Sequence, residues 1–323
     1  FAYGQTGSGK TYTMFGAQGG ISIEGESRGM IPRSVEYLFG QIGRKAATSE
    51  CALVCSFLEI YCDQIRDLGK AYLVSQGAEA GTAAMHQKTS ELFECIAAKR
   101  GNPYFAPAFN LRRSESQEQL PGIKDVTAEY RTMNYEIRED TDGNVFVQDL
   151  SLIPVSTLEE VKQLIAQGLA VRATHETKMN ATSSRSHTVF TVTCVQQDKA
   201  SGQSVQGMLN LVDLAGSERL KKSESEGLRL KEALHINTSL TALGKVIVAL
   251  DPSSDFTHVP YRDSKLTRIL QNSLGGNSYT TVVAAMHPSA SYYEECLSTL
   301  QFANRCRNVV NNPRVNYVGE DDS

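Results

Sequence analysis

The chain contains no apolar run near the roughly 18 to 20 residues that a membrane-spanning helix needs, so nothing in it reads as a membrane anchor. It opens directly on a glycine-rich loop, without the basic and then apolar leader of a secretory signal. Its seven cysteines (51, 55, 62, 95, 194, 296 and 306) form no C-x-x-C pair and sit mostly in apolar segments. They read as free thiols in a reducing compartment, which argues against a disulfide framework. His187, His235 and His258 have no metal-ligand spacing and read as structural or exposed. There is no internal repeat and no heptad array. Nor is there an excess of positive charge: 32 Lys and Arg face 36 Asp and Glu, for a net charge of −4. That balance excludes a wholesale nucleic-acid binder and leaves a local basic face open. What remains is 323 residues, 41% hydrophobic and 21% charged, the profile of a soluble globular protein of one large α/β domain or two ordinary ones.

Against these absences stands one complete motif. Gly4-Gln5-Thr6-Gly7-Ser8-Gly9-Lys10-Thr11 satisfies G-x-x-x-x-G-K-[ST]. Its glycines let backbone N–H groups turn inward around phosphate oxygens, Lys10 supplies a point charge and the Thr11 hydroxyl a Mg²⁺ ligand. The expected ligand is a nucleoside triphosphate. A loop of this kind is fed by a buried parallel strand, of which Phe1-Ala2-Tyr3 is at most the tail, so strands are expected upstream. A guanine reading is weak, because no Asn-Lys-x-Asp occurs.

Further along, a helix is expected from about Gly9, since the loop places phosphates at a helix N-terminus. Gly16 to Gly29 reads as an exposed loop, and Ile31-Pro32-Arg33 restarts a helix with Val35, Leu38, Phe39 and Ile42 on one face. Cys51 to Leu68 reads as one long strand segment, and Asp142-Gly143 as a tight turn between strands Tyr135 to Arg138 and Val145 to Val147. Thr157-Leu158-Glu159-Glu160 is a capping box opening a helix whose Leu158, Val161, Leu164 and Ile165 share a face. Strands follow at His187 to Gln196 and Gly207 to Leu214. A helical stripe runs through Ile236, Leu240, Leu243, Ile247 and Leu250, and a short helix from Ser264 to Leu274 stops at Gly275-Gly276. A buried strand is expected over Thr280 to Met286. A last helix is expected after a capping box at Ser291 to Glu294, with Leu297, Leu300 and Ala303 inward. Alternating strands and helices imply an α/β fold with a mostly parallel central sheet flanked by helices on both faces. Residues 69 to 134 break the pattern and read as a mostly disordered insert with one helix at Ser90 to Lys99.

Hydrolysis also requires groups that sense the γ-phosphate. Two segments qualify: Asn180-Ala181-Thr182-Ser183-Ser184-Arg185-Ser186-His187, and Asp213-Leu214-Ala215-Gly216 after the apolar strand Met208 to Val212. An Asp ending a buried strand can hold Mg²⁺ through water, and the following Gly can offer its N–H to the γ-phosphate. Either segment alone would be an ordinary loop. The ordered set of three is not.

The chain resembles the kinesin motor domain family. FAYGQTGSGKTYTM, NATSSRSH, LVDLAGSER, HINTSLTALGKVI and VPYRDSKLTRILQNSLGGNS match that family's motifs in order, over about residues 1 to 68 and 135 to 318. The resemblance implies a P-loop NTPase fold lacking its first strands, with a single motor domain over 1–318 and a neck linker and tail over 311–323. It implies ATP and Mg²⁺ as ligands and microtubule-stimulated hydrolysis as the activity. Ser183 and Ser184 would be the first switch's hydroxyls, with Ser184 near Mg²⁺, and Arg185 would pair with Glu218 of the second switch. Hydrolysis would rest on positioning, electrostatics and proton relay, with no dedicated carboxylate base. Tyr12 would stack on adenine, and Asn237 would join the switch network.

The implied partner is the acidic tubulin surface of microtubules, met by Lys221, Lys222, Arg229 and Lys231 and by Tyr261, Arg262, Lys265 and Arg268. The loop Ser253 to Thr257 contains no lysine, so ordinary salt-sensitive binding is expected. Asn311 to Asn316 resembles a neck linker, which favours plus-end movement; its bland alternative is a frayed tail. A stalk outside this chain leaves homodimerisation open, and the expected location is the cytoplasmic microtubule cytoskeleton or a cilium. A second class of reading is a microtubule or ciliary scaffold that has lost turnover.

Overall fold

The computed structural model describes residues 1–17, 25–76, 135–140, 143–179, 185–218 and 228–318. Its strands are β1 (Ala2–Tyr3), β2 (Ser49–Tyr61), β3 (Gln64–Asp67), β4 (Ile137–Glu139), β5 (Val145–Val147), β6 (Ile153–Val155), β7 (Ser186–Asp198), β8 (Ser204–Asp213), β9 (Val283–Ala284) and β10 (Asn316–Val318). Its α-helices are α1 (Lys10–Phe15), α2 (Met30–Lys45), α3 (Gly69–Gln76), α4 (Leu158–Met179), α5 (Leu228–Ala249), α6 (Lys265–Ile269) and α7 (Tyr293–Cys306).

The main sheet runs β3-β2-β7-β8-β1-β9, with β6 on β2 and β10 on β8. Its strand directions are mixed, which corrects the mostly parallel sheet read from alternation. β1 is parallel to β8 and β9, whereas β2, β7 and β8 form long antiparallel ladders. Connection length is the reason: β7 and β8 are joined by residues 199–203, too short for the crossover that parallel pairing requires. The single strand expected over Cys51 to Leu68 is likewise a hairpin. Cys62 and Asp63 turn it at φ 49° and 56°, the left-handed pair that suits tight antiparallel hairpins.

Alternation along β2 and β7 then sorts side chains to two faces. Leu53, Cys55, Phe57, Phe190 and Val192 join Met14, Phe15, Ile31, Val35, Val161, Leu164 and Ile165 under α1, α2 and α4. Leu58, Ile60, Val189 and Val212 join Leu240, Leu243, Ile247, Leu266, Leu270 and Phe302 under α5, α6 and α7. The helical faces expected for α2 and α4 are those that pack, and the capping box at Thr157 and Glu160 forms reciprocally. Tyr3 stacks on Phe302 with ring centroids 3.9 Å apart, which ties the strand entering the phosphate loop to α7.

Other expectations give way. Residues 69–76 of the expected disordered insert are helix α3, whose Ala71 and Tyr72 are buried, while the rest of that segment, including Ser90 to Lys99, lies outside the described residues. The strand expected over Thr280 to Met286 shortens to Val283–Ala284, half-buried beside β1. On α7 the buried face is Thr299 and Phe302, while Leu297 and Leu300 are exposed. That helix follows a 3₁₀ turn (Ala290–Tyr292) capped by Ser289, not a capping box at Ser291. The short helix of 264–274 divides into α6 and a 3₁₀ turn at Gln271–Ser273. Asn311 to Asn316 is docked. Gly275 N–H donates to Asn311 Oδ1 at 2.7 Å, and β10 pairs antiparallel with Ser204 to Gln206.

Candidate functional site

The phosphate loop closes on itself before any ligand is considered. Ser8 donates through Oγ and N to the Gln5 carbonyl, at 2.8 and 3.3 Å, and Lys10 Nζ donates to the same oxygen at 2.8 Å. Gly4, at φ 151°, shows why glycine stands there: a Cβ would lie 2.1 Å from the carbonyl oxygen of Ala285, just past β9. Beyond Gly7 and Gly9, both at positive φ, a Cβ meets nothing closer than 3.9 Å among the described residues, which leave the mouth of the loop open. Gly9 caps α1, which fixes Lys10 and Thr11 in the first turn.

Asp213 reaches the loop because β8 ends beside β1, with Ala2 opposite Asp213 in parallel register. Thr11 Oγ1 donates to Asp213 Oδ2 at 2.7 Å. Burial pushes the Asp213 carboxyl above its ordinary range, against the pull of Arg172, Thr11 and Lys10. Burial likewise draws Lys10 below its ordinary range, against Asp213 and Glu218. Asp213 Oδ1 is buried without a hydrogen-bond partner among the described residues. An orphaned carboxylate oxygen beside a threonine hydroxyl and a buried ammonium fits a hydrated Mg²⁺ and its polyphosphate: the cation would meet the carboxylate, and the phosphates the ammonium. No cluster of three His, Cys, Asp or Glu able to hold a metal occurs among the described residues, so a cation here would share its ligands with phosphate.

The segment after β8 lies against the loop. Ser217 N–H donates to Gly4 O at 3.0 Å, and Ala215 N–H donates to His187 Nδ1 at 2.9 Å. The Glu218 carboxylate, expected to meet Arg185, has both oxygens on Thr6 instead: Oε2 accepts from the backbone N–H at 2.8 Å and Oε1 from Oγ1 at 2.5 Å. Thr6 N–H is one of the donors the motif offers to phosphate, so a carboxylate occupies part of the anion cradle. Gly216 sits under this contact, where a Cβ would lie 2.3 Å from Glu218 Oε2.

Two residues that sequence reasoning left out, and one that it set aside, complete the site. Arg172 of α4 is 3% exposed, with its guanidinium 3.6 Å from Glu59 and 3.8 Å from Asp213, and it donates to Ser186 Oγ at 3.2 Å. Glu59 in turn pairs with Arg66 at 3.2 Å, and Arg66 lies over the Tyr61 ring. Breaking a buried network of this kind by removing one partner typically costs about 3–5 kcal/mol. The available signal was periodicity: Arg172 lies seven residues after Ile165, on the apolar face of α4. His187, read as structural or exposed, is buried, and its Nε2 lies 2.8 Å from Ser239 Oγ. Burial, with Arg172 and Lys10 nearby, pulls its pKa down to about 3.

The structure thus brings Gln5, Thr6, Lys10, Thr11, Asp213, Gly216 and Glu218 together. Tyr12 projects from α1 and is 57% exposed. Ser183 and Ser184 lie outside the described residues, as do Lys221 and Lys222. Arg262 is exposed, and Lys265 and Arg268 are partly exposed. Tyr261 is half-buried, with its hydroxyl donating to Leu274 O at 2.5 Å, so it braces this corner from within. Asp63 Oδ1 accepts from Lys265 N–H at 2.9 Å and pins α6 to the β2–β3 turn.

A phosphate loop flanked by a strand-terminal Asp and a Gly-containing second segment defines a P-loop nucleotide-binding domain. The Kinesin motor domain pattern matches residues 1–309, and the chain belongs to this family. It is 40% identical over 332 residues to the kinesin-like protein KIN-4A of Oryza sativa subsp. japonica, covering 98% of this chain and 28% of that protein. To human kinesin-like protein KIF7 it is 39% identical over 329 residues, covering 99% and 20%. The chain therefore spans less than a third of these relatives. Among solved structures it resembles a fast kinesin described for its ATPase mechanism and microtubule interactions, with TM-score 0.74 and 38% identity, covering 98% of this chain and 72% of that one. A KIF14 dimer bound with AMP-PNP to a microtubule gives TM-score 0.70 and 36% identity, with the same coverage.

Proposed function

We propose that this chain hydrolyses ATP and couples the reaction to movement along microtubules. The observation that carries the reading is the convergence of Lys10, Thr11 and Asp213 at an open loop mouth, with the Glu218 carboxylate already held in part of the anion cradle. Bound Mg-ATP would supply the phosphoanhydride to be cleaved. Toward it, the backbone of Gly4 to Gly9 and Lys10 would bind phosphate, Thr11 and Ser184 would hold Mg²⁺ with Asp213 acting through water, and Tyr12 would cover the adenine. Ser184 and Gly216 sense the γ-phosphate, with Ser183 beside them. As they close, Glu218 leaves Thr6 for Arg185, and the loop donors are freed for phosphate. Catalysis then rests on preorganised donors, with Glu218 and the switch hydroxyls relaying the proton. Support for the filament as partner comes from the microtubule-bound relative and from the cationic corner of Arg262, Lys265 and Arg268; Lys221 and Lys222 are proposed as further contacts. A scaffold without turnover is the less favoured reading, since the loop keeps the complete G-x-x-x-x-G-K-[ST] motif.

The test is ATP turnover with and without microtubules, for the chain and for Lys10→Ala. We expect microtubules to raise the rate and Lys10→Ala to lower it about a hundredfold or more. Rates equal in all four cases would sink the proposal.

A further inference from the structure

His187 stands where the phosphate site and the second layer of helices meet. Its strand places it opposite Ile60, one residue before Thr188, which pairs with Asp213. The ring is 2% exposed and both of its nitrogens are engaged. Because Ala215 N–H is a donor, Nδ1 must carry a lone pair, so the proton of the neutral ring lies on Nε2 and is donated to Ser239 Oγ. Burial, with the positive charges of Arg172 and Lys10 behind it, keeps the ring in that neutral form. The tautomer is therefore fixed by its surroundings. Ala215 lies between Asp213 and Gly216 and is fully buried, and Ser239 is buried on α5. The same helix packs Leu240, Leu243 and Ile247 against Leu266 and Leu270 of the cationic corner.

We propose that His187 is a positioning residue, a rigid two-ended spacer that transmits displacement of the Ala215–Gly216 backbone to α5 through Ser239. This rests on the ATP-coupled reading of the site. Its logic is geometric. An imidazole cannot lengthen, so a shift of the Ala215 amide either drags the ring and the helix with it or breaks one of two buried hydrogen bonds, and an unmade buried bond is costly. A flexible or singly bonded side chain in the same place would absorb the shift.

Ser239→Ala removes the far end of the link and leaves the Ala215 contact alone. We expect it to retain basal ATP turnover within about twofold while losing about tenfold or more of the microtubule-stimulated rate. His187→Asn keeps an acceptor near Nδ1 but cannot reach Ser239. Its ratio of stimulated to basal rate should fall as far as that of Ser239→Ala, and the double variant should fall no further, because both act on one link. The second readout does not depend on the filament. Hydrogen exchange in the Thr238 to Ala249 stretch should respond to a non-hydrolysable ATP analogue in the parent chain and cease to respond in Ser239→Ala. A merely structural role would lower the melting temperature and scale both rates together. The proposal is overturned if Ser239→Ala keeps the parent ratio, or if exchange in this stretch responds to the analogue equally in both proteins or in neither. Absence of microtubule stimulation in the parent chain would count against the motor reading instead, and the exchange experiment would still decide the link.

Discussion

Cys51 and Cys194 lie diagonally across the β2–β7 ladder, on the face shared by Leu53, Cys55 and Val192. A hydrogen bond from the Cys194 thiol, with the Lys45 ammonium assisting, outweighs partial burial and draws Cys51 down to about 7. Cys55 is enclosed by the core, and burial pushes it far up. Since the thiolate is the nucleophile, iodoacetamide should modify Cys51 with a rate midpoint near pH 7 and leave Cys55 untouched in the folded chain. Cys194→Ala should move that midpoint toward the ordinary thiol value of about 8.5. Peptide mass spectrometry across a pH series reads both, and a Cys51 midpoint already at the ordinary value in the parent chain would refute the assignment. Legibility at this scale depends on distance along the chain. Lys10 and Thr11 declare themselves through local spacing, and Asp213 by ending an apolar strand. Arg172, Glu59 and the partners of His187 meet only across the sheet, and no window of sequence contains the pairs they form.

Elements show the same division. The helices α2 and α4 and the capping box at Thr157 were readable because periodicity and caps are local. Strand direction was not, because it depends on which strands neighbour each other, and a left-handed pair at Cys62 and Asp63 carries no glycine to announce it. The exposed apolar residues of α7 misled for a related reason: Leu297 and Leu300 look like a core face until Phe302 is seen to stack on Tyr3. The segment entering β10 has several anchors, with Asn312 N–H on Gly276 O at 3.0 Å and Arg314 N–H on Asn277 Oδ1 at 2.6 Å, and Asn311 makes the most contacts among them. Asn311 accepts from Gly275 N–H at 2.7 Å and donates to Ser273 O, Ser278 Oγ and Thr280 Oγ1 at 3.3, 3.3 and 3.1 Å. Asn311→Ala should cost about 1–2 kcal/mol locally, by the usual worth of a hydrogen bond and the penalty for an orphaned donor. Amides of Asn316 to Val318 should then exchange roughly tenfold faster or more, by the factor of ten per 1.4 kcal/mol. Unchanged exchange there would mean that the ladder and the contacts of Asn277 hold β10 without Asn311.

Across the whole molecule, a net charge of −4 is the background against which, on the proposed function, an acidic filament would be met. The patch of Arg262, Lys265 and Arg268 has to work locally. Arg262 is 75% exposed at its side chain and lies 4.0 Å from Glu139, so its charge faces solvent with little internal compensation. Replacing Arg262 and Arg268 together by alanine should weaken microtubule cosedimentation about tenfold near 0.1 M salt. The difference should fade toward 1 M, as the screening length falls from about 10 Å to about 3 Å. Equal binding of parent and variant at low salt would move the contact elsewhere.

The strand β8 has a mechanical consequence of its own. It holds Asp213 at one end and the docked β10 at the other, with β7 bonded along its length. From Ser204 to Asp213 it spans about 30 Å at roughly 3.3 Å per residue. A rod clamped this way behaves as a stator: neither end can travel without shearing the ladder between them. The parts free to move are therefore those the sheet does not grip.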